Sequence, residues 1–254
     1  MSKNSGRKGK ILRFALFGIS AILYSVSLGW KIGLIIMISI SLHEIGHLFA
    51  MKRRGMKVKG VYFIPFFGAV ALPEEKFNSY ETENYTAIMG PTFGLITSLL
   101  TYLLFVFTGK IEFAGAAGWI ALINFFNFLP IMPLDGGRVL RSIVFSFNLV
   151  GGIILTTIGT IIGTIICVNL GWWLGVLVIA LGIAEVIDDL LTKKEVAESE
   201  LNPEIYLAKK MSKSQIIERI VWALTVFFGL LFIIKQASLA IGAIGSYAFL
   251  KILK

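Results

Sequence analysis

The sequence predicts an all-α polytopic membrane protein of about six to eight transmembrane helices with a short membrane-interface β-hairpin. Two compositional facts and one pattern predict it. Apolar residues make up 56% of the 254 and charged residues only 15%, with a mean hydropathy of +0.83, which excludes an ordinary soluble domain. The apolar residues also fall into runs long enough to cross a hydrocarbon core, separated by short polar turns. The net charge of +9 does not point to nucleic acid, because lysines and arginines cluster at the ends of these runs, where they act as topological anchors. Cys167 is the single cysteine, so no intrachain disulfide and no thiolate cluster can form.

Residues 1–31 form an N-terminal unit: a basic start, an apolar run over 11–28 read as an uncleaved span rather than a signal peptide, and a Gly29-Trp30-Lys31 turn. A core of three spans is expected over 32–141. Its first span, 32–51, ends at the dense basic cluster from Lys52 to Lys59, which reads as a cytoplasmic stop. Residues 60–73 are β-branched and aromatic with Pro65 and Gly68 at the middle, which suits a hairpin too short to span as a helix. The acidic stretch 74–85 is read as a linker or surface helix. The next spans are 86–108, with Gly90-Pro91 near its start, and 111–134, which runs into a proline- and glycine-rich break ending at Asp135. A short amphipathic connection covers 139–148. The C-terminal unit, 142–254, then holds spans at 149–168, 170–187 and 216–234, a cytoplasmic loop at 188–215, and a glycine-containing piece at 237–250 that is an eighth span or a re-entrant segment. If every run crosses and the N-terminus is cytoplasmic, all lysines and arginines but Lys31, Lys110 and Lys235 lie on the cytoplasmic side. That asymmetry predicts a multi-pass protein of the cell membrane with both termini inside.

Within the second run stands His43-Glu44-Ile45-Gly46-His47, and these two histidines are the only ones in the chain. Residues four apart share a helix face, so both imidazoles can reach one ion, while Glu44 is turned about 100° away and flanks it. HExxH is the zinc hydrolase pattern: two histidines hold the metal and the glutamate takes a proton from water there. The alternative, a buried His/Glu cluster that only packs helices, requires no fixed spacing of four. Three ionisable residues within five positions of an apolar run mark a functional site. Asp135 ends the fourth run on the same side of the membrane as His47. It supplies a third ligand and leaves a fourth position open, as in catalytic zinc sites; its alternative reading is a helix-terminal acid paired with Arg138.

The order HEIGH, then Gly90-Pro91, then Asn127-Phe128-Leu129-Pro130 with Leu134-Asp135-Gly136-Gly137 resembles the site-2 protease family of intramembrane zinc metalloproteases, sporulation-type bacterial members included. The resemblance covers roughly residues 32–141. It implies that His43, His47 and Asp135 bind one Zn2+ per chain, that Glu44 is catalytic, and that Asn127 contacts the substrate backbone or polarises the scissile carbonyl. It also likens 62–71 to the family's membrane hairpin, which offers a strand edge to substrate. Family members often carry asparagine where this chain has Gly94, and a double glycine where it has Gly68-Ala69. Asn124 faces the interior of its span by spacing, as a packing amide or a catalytic one. The implied activity is hydrolysis of peptide bonds in or near transmembrane helices of single-span membrane proteins, in the lipid bilayer and subject to a membrane regulator. The competing functions are a catalytically silent relative that binds membrane proteins and a metal transporter; a transporter usually spreads its polar groups over several depths, whereas here they converge at one.

Overall fold

The computed structural model describes residues 3–66, 68–169 and 209–252, with isolated positions between 180 and 191. The described elements are α1 (Lys3–Leu28), α2 (Trp30–Arg53), β1 (Val58–Ile64), β2 (Gly68–Pro73), α3 (Tyr80–Thr108), α4 (Ile111–Asn127), α5 (Asp135–Phe147), α6 (Leu149–Asn169) and α7 (Lys213–Ile252). Four of them are long and apolar enough to cross a membrane: α1 from Gly9, α2, α3, and α7 as far as Ala243. Helix α4 and the Val150–Ile162 stretch of α6 are apolar but shorter. The fold class is the one expected: a helical multi-pass membrane protein carrying one small hairpin.

Local chemistry sets the boundaries. Gly29 has φ +85° and joins α1 to α2, a conformation that side chains disfavour. A Cβ on Gly33 would stand 2.7 Å from the backbone of Ser25, so the two helices meet backbone to backbone just beyond this turn. Ser79 caps α3 by accepting from the Thr82 amide at 3.1 Å, and Gly109 closes it with φ +67°. Strands β1 and β2 pair antiparallel, Val61 with Ala71 and Phe63 with Ala69. Phe17 of α1 meets Phe63 edge-on at 4.9 Å, and Arg13 donates to the Lys59 carbonyl at 2.5 Å, so the hairpin is seated against α1.

Three expectations are corrected. The stretch 74–85 is a surface linker only in its first half, where Glu74, Glu75, Lys76 and Asn78 are exposed; from Tyr80 it is the first turn and a half of α3, and Glu81 and Glu83 are buried. Each acid has a cationic partner supplied from elsewhere. Glu81 Oε1 lies 2.5 Å from Arg54 at the end of α2 and 2.5 Å from Arg219 of α7, and Glu83 lies 2.6 Å from Arg141 of α5. Tyr85 is flanked by the same two guanidiniums, Arg54 at 4.6 Å and Arg219 at 5.2 Å from its ring. The fourth span is also shorter than 111–134, because α4 stops at Asn127 and the proline-rich break occupies 128–134. Finally, 216–234 and 237–250 are one element: α7 runs unbroken through Lys235 and Gln236. Both are good helix formers with no glycine or proline beside them, and the expected last crossing, with the C-terminal placement built on it, loses its turn. Most of the expected span 170–187 and of the loop 188–215 lies outside the described residues.

The main core packs Ile88 of α3, Ala117 and Ala121 of α4, Val139 of α5, and Val226, Leu230 and Ile233 of α7. Helix α3 is the hub. Its residues 80–91 are buried against α2 on one side and α5 on the other, and Asn84 fastens α5 by donating to the Val139 carbonyl at 3.0 Å and to Ser142 Oγ at 2.8 Å.

Candidate metal centre

Two elements bring side chains to one buried point, and two more support them. Helix α2 presents His43, Glu44 and His47, each at most 8% exposed. Helix α5 begins at Asp135, where an acid is favoured by the helix dipole. Asp135 reaches the histidines because Gly136 and Gly137 lie directly on the backbone of 128–132, where any side chain would collide. The double glycine thus lets the start of α5 fold down onto the break that follows α4.

The distances form a near-equilateral triangle. His43 Nε2 is 2.9 Å from Asp135 Oδ2, His47 Nε2 is 3.2 Å from the same oxygen, and the two Nε2 atoms are 3.0 Å apart. Ligand atoms about 2.05 Å from a tetrahedral ion stand about 3.3 Å from one another, so the triangle needs to open by only a few tenths of an ångström to hold one.

The hydrogen bonds behind the rings decide what the triangle contains. His47 Nδ1 is 2.8 Å from the Thr86 carbonyl, which can only accept, so Nδ1 carries a proton and, in the neutral ring that binds metals, Nε2 carries the lone pair. His43 Nδ1 is 2.8 Å from Asn124 Oδ1. The orientation of that amide follows from its other partners, since Nδ2 lies 2.8 Å from the Ile120 carbonyl and 3.2 Å from Ser39 Oγ. Oδ1 therefore accepts from His43, whose Nε2 also offers a lone pair. Two imidazole lone pairs and a carboxylate oxygen converge, with both ring protons committed elsewhere. Such a set repels itself without a cation at its centre, and its nitrogen and oxygen donors suit a borderline divalent metal.

Space is kept for that cation. A Cβ at Gly90 would run into His47 Nε2 and stand 2.8 Å from His43 Nε2, so the glycine of the Gly-Pro pair leaves the ligand atoms clear. Gly46, inside the HEIGH motif, packs on the Met89 carbonyl where a side chain would collide, and this close approach of α2 to α3 puts Gly90 beside the histidines. Glu44 completes the cluster: its ligand atom and those of the two histidines all lie within 4.8 Å of one another. Its Oε2 is buried without a hydrogen-bond partner, leaving an acceptor open beside the triangle.

Thus His43, Glu44, His47 and Asp135 meet at one point. Asn127 is the last residue of α4 and partly exposed; the amide that holds a histidine is Asn124, one turn earlier and fully buried. Spacing put Asn124 on the inner face of its span, but one amide on an apolar helix gives no sign of which partner it meets.

Similarity to known proteins falls on this same region. The model of Peptidase family M50 matches residues 32–110. This bears out the resemblance to the site-2 proteases drawn from the motifs. The matched segment holds nearly all of α2, the hairpin and α3, and so both histidines, Glu44 and Gly90. The protein named zinc metalloprotease MJ0392 of Methanocaldococcus jannaschii is 30% identical over 142 residues, 52% of this chain and 41% of that protein. The protein sll0528 of Synechocystis sp. is 32% identical over 128 residues, 47% of this chain and 34% of that protein. The chain thus spans less than half the length of these curated relatives. The solved structure of the site-2 protease from M. jannaschii aligns at 22% identity with a TM-score of 0.47, covering 87% of this chain and 88% of that one.

Proposed function

We propose that the protein is a zinc-dependent intramembrane endopeptidase that hydrolyses peptide bonds in or near the transmembrane helices of membrane proteins. The observation that carries this reading is the convergence of three ligand atoms with a buried Glu44 oxygen that has no hydrogen-bond partner beside them. The match of residues 32–110 to the Peptidase family M50 model and the zinc metalloprotease name of a relative support it. His43, His47 and Asp135 would hold the zinc, whose charge would make water a competent nucleophile near neutral pH. Glu44, with its open oxygen, would accept a proton from water and return it to the leaving amine. Asn127, at the end of α4, contacts the substrate backbone. Residues 32–141 are the catalytic core, and 1–31 and 142–254 the flanking units.

The substrate class follows from where this chemistry is buried. A peptide bond inside a helix hides its amide, so a single-span substrate must unwind before it is cut. Strands β1 and β2 pair with each other, and an unpaired strand edge can hold the extended form by backbone hydrogen bonds. The basic cluster from Lys52 to Lys59 supports a cytoplasmic position in the cell membrane for the end of α2 and the start of α3, where the activity serves regulated intramembrane proteolysis under a membrane regulator.

The first test is elemental. Purified protein kept from chelators is expected to carry one zinc per chain and the His43→Ala variant close to none; wild-type protein with less than about 0.2 zinc per chain contradicts the reading.

A further inference from the structure

We propose that Asn124, in the space left by Gly94, is the positioning residue that selects the ring nitrogen His43 presents to the metal. The proposal rests on the zinc reading and deepens it. The Asn124 carboxamide is wholly buried and fixed at both ends: the Ile120 carbonyl and Ser39 hydroxyl take its Nδ2, and His43 Nδ1–H donates to its Oδ1. If that acceptor is removed, nothing on α4 holds the proton on Nδ1, and His43 can turn a protonated nitrogen toward the ion.

Gly94 supplies the room. A Cβ there would collide with the Cγ, Oδ1 and Nδ2 of Asn124. Glycine inside a helix costs about 1 kcal/mol relative to alanine, and Gly94 is buried in the middle of α3, where no turn requires it. It lies four residues after Gly90, hence on the same face. One glycine clears the ligand nitrogens and the next clears the amide that orients one of them. A packing amide would account for burial, but not for a carboxamide whose orientation is set by the Ile120 carbonyl and whose oxygen meets a ligand histidine.

The test uses the full chain in detergent, with zinc affinity measured by chelator competition. The protein has only two histidines, so 15N-histidine labelling resolves each ring nitrogen and reads tautomers directly. Asn124→Leu, close in size but without an acceptor, is expected to weaken zinc by 10- to 100-fold and to remove the single Nδ1–H state of His43, while His47, held by the Thr86 carbonyl, keeps its signal and reports that the fold persists. Asn124→Asp retains an acceptor for His43, with its second oxygen protonated toward the Ile120 carbonyl, and is expected to lose clearly less affinity than Asn124→Leu. Gly94→Ala pushes the amide aside and is expected to repeat the Asn124→Leu loss, the double variant adding little. Equal loss in the Leu and Asp variants overturns the proposal in favour of packing, and so does unchanged affinity with an unchanged His43 tautomer in Asn124→Leu. A wild-type protein that takes up no zinc overturns the metal reading instead.

Discussion

Replacing Gly90 with alanine is expected to cost the protein its zinc while leaving its helices intact. Alanine is the better helix former by about 1 kcal/mol, so propensity alone makes the change stabilising to α3. The new methyl group, however, would overlap His47 Nε2 and lie 2.8 Å from His43 Nε2, and both atoms are ligands in the proposed site. Neither ring can retreat freely, since the Thr86 carbonyl holds one and Asn124 the other. Zinc affinity should therefore fall by 10²-fold or more, a larger effect than loss of a residue that merely orients a ligand, with helical circular dichroism unchanged. Gly115, whose Cβ would meet nothing within 4 Å, is the matched control, and alanine there should leave zinc at the wild-type level. Full zinc occupancy in Gly90→Ala would show that the ion does not sit where the two histidines and Asp135 converge.

The second large effect falls on the fold. Glu81→Ala removes the carboxylate shared by Arg54 and Arg219 and leaves the Arg219 guanidinium, 5% exposed, without its principal counter-charge. Breaking a buried ion pair from one side costs about 3–5 kcal/mol, because the remaining charge has lost its solvation as well as its partner. Arg54 is partly exposed and contributes less of that penalty. A fall in melting temperature on the order of 10 °C in detergent is expected. Glu112→Ala, which removes an exposed acid in the first turn of α4, should melt close to wild type. If the two variants melt together, Glu81 does not tie α2, α3 and α7.

Both effects involve contacts that the sequence announces unevenly. The histidine pair was legible because a spacing of four puts two side chains on one helix face whatever surrounds them. Asp135 was legible because prolines and a double glycine mark a chain break where an acid can turn toward a neighbour. The purposes of Gly46, Gly90 and Gly94 were not legible, since each depends on which atoms of another helix come within a methyl group's reach. Glu81 and Glu83 misled for a related reason: a run of acids ordinarily signals solvent, and their cationic partners arrive from positions 54, 141 and 219. The division of α7 at Lys235 failed because one lysine–glutamine pair marks a helix end only when glycine or proline joins it. Asn124 was placed on the correct face but not given its partner, because burial tells an amide from solvent and not a histidine from a hydroxyl.

The central claim is that the buried cluster hydrolyses peptide bonds within membrane helices and that Glu44 moves the proton. The measurement that tests it most directly follows single-span candidate substrates incubated with purified wild-type and Glu44→Gln protein, reading cleavage by mass spectrometry and zinc content on the same samples. Glutamine preserves size and hydrogen bonding but cannot accept the proton. The expected result is a substrate cut by the wild type, and a Glu44→Gln protein that keeps its zinc while hydrolysis falls by about 10² or more. Cleavage by the zinc-loaded Glu44→Gln protein at near wild-type rate would contradict the account.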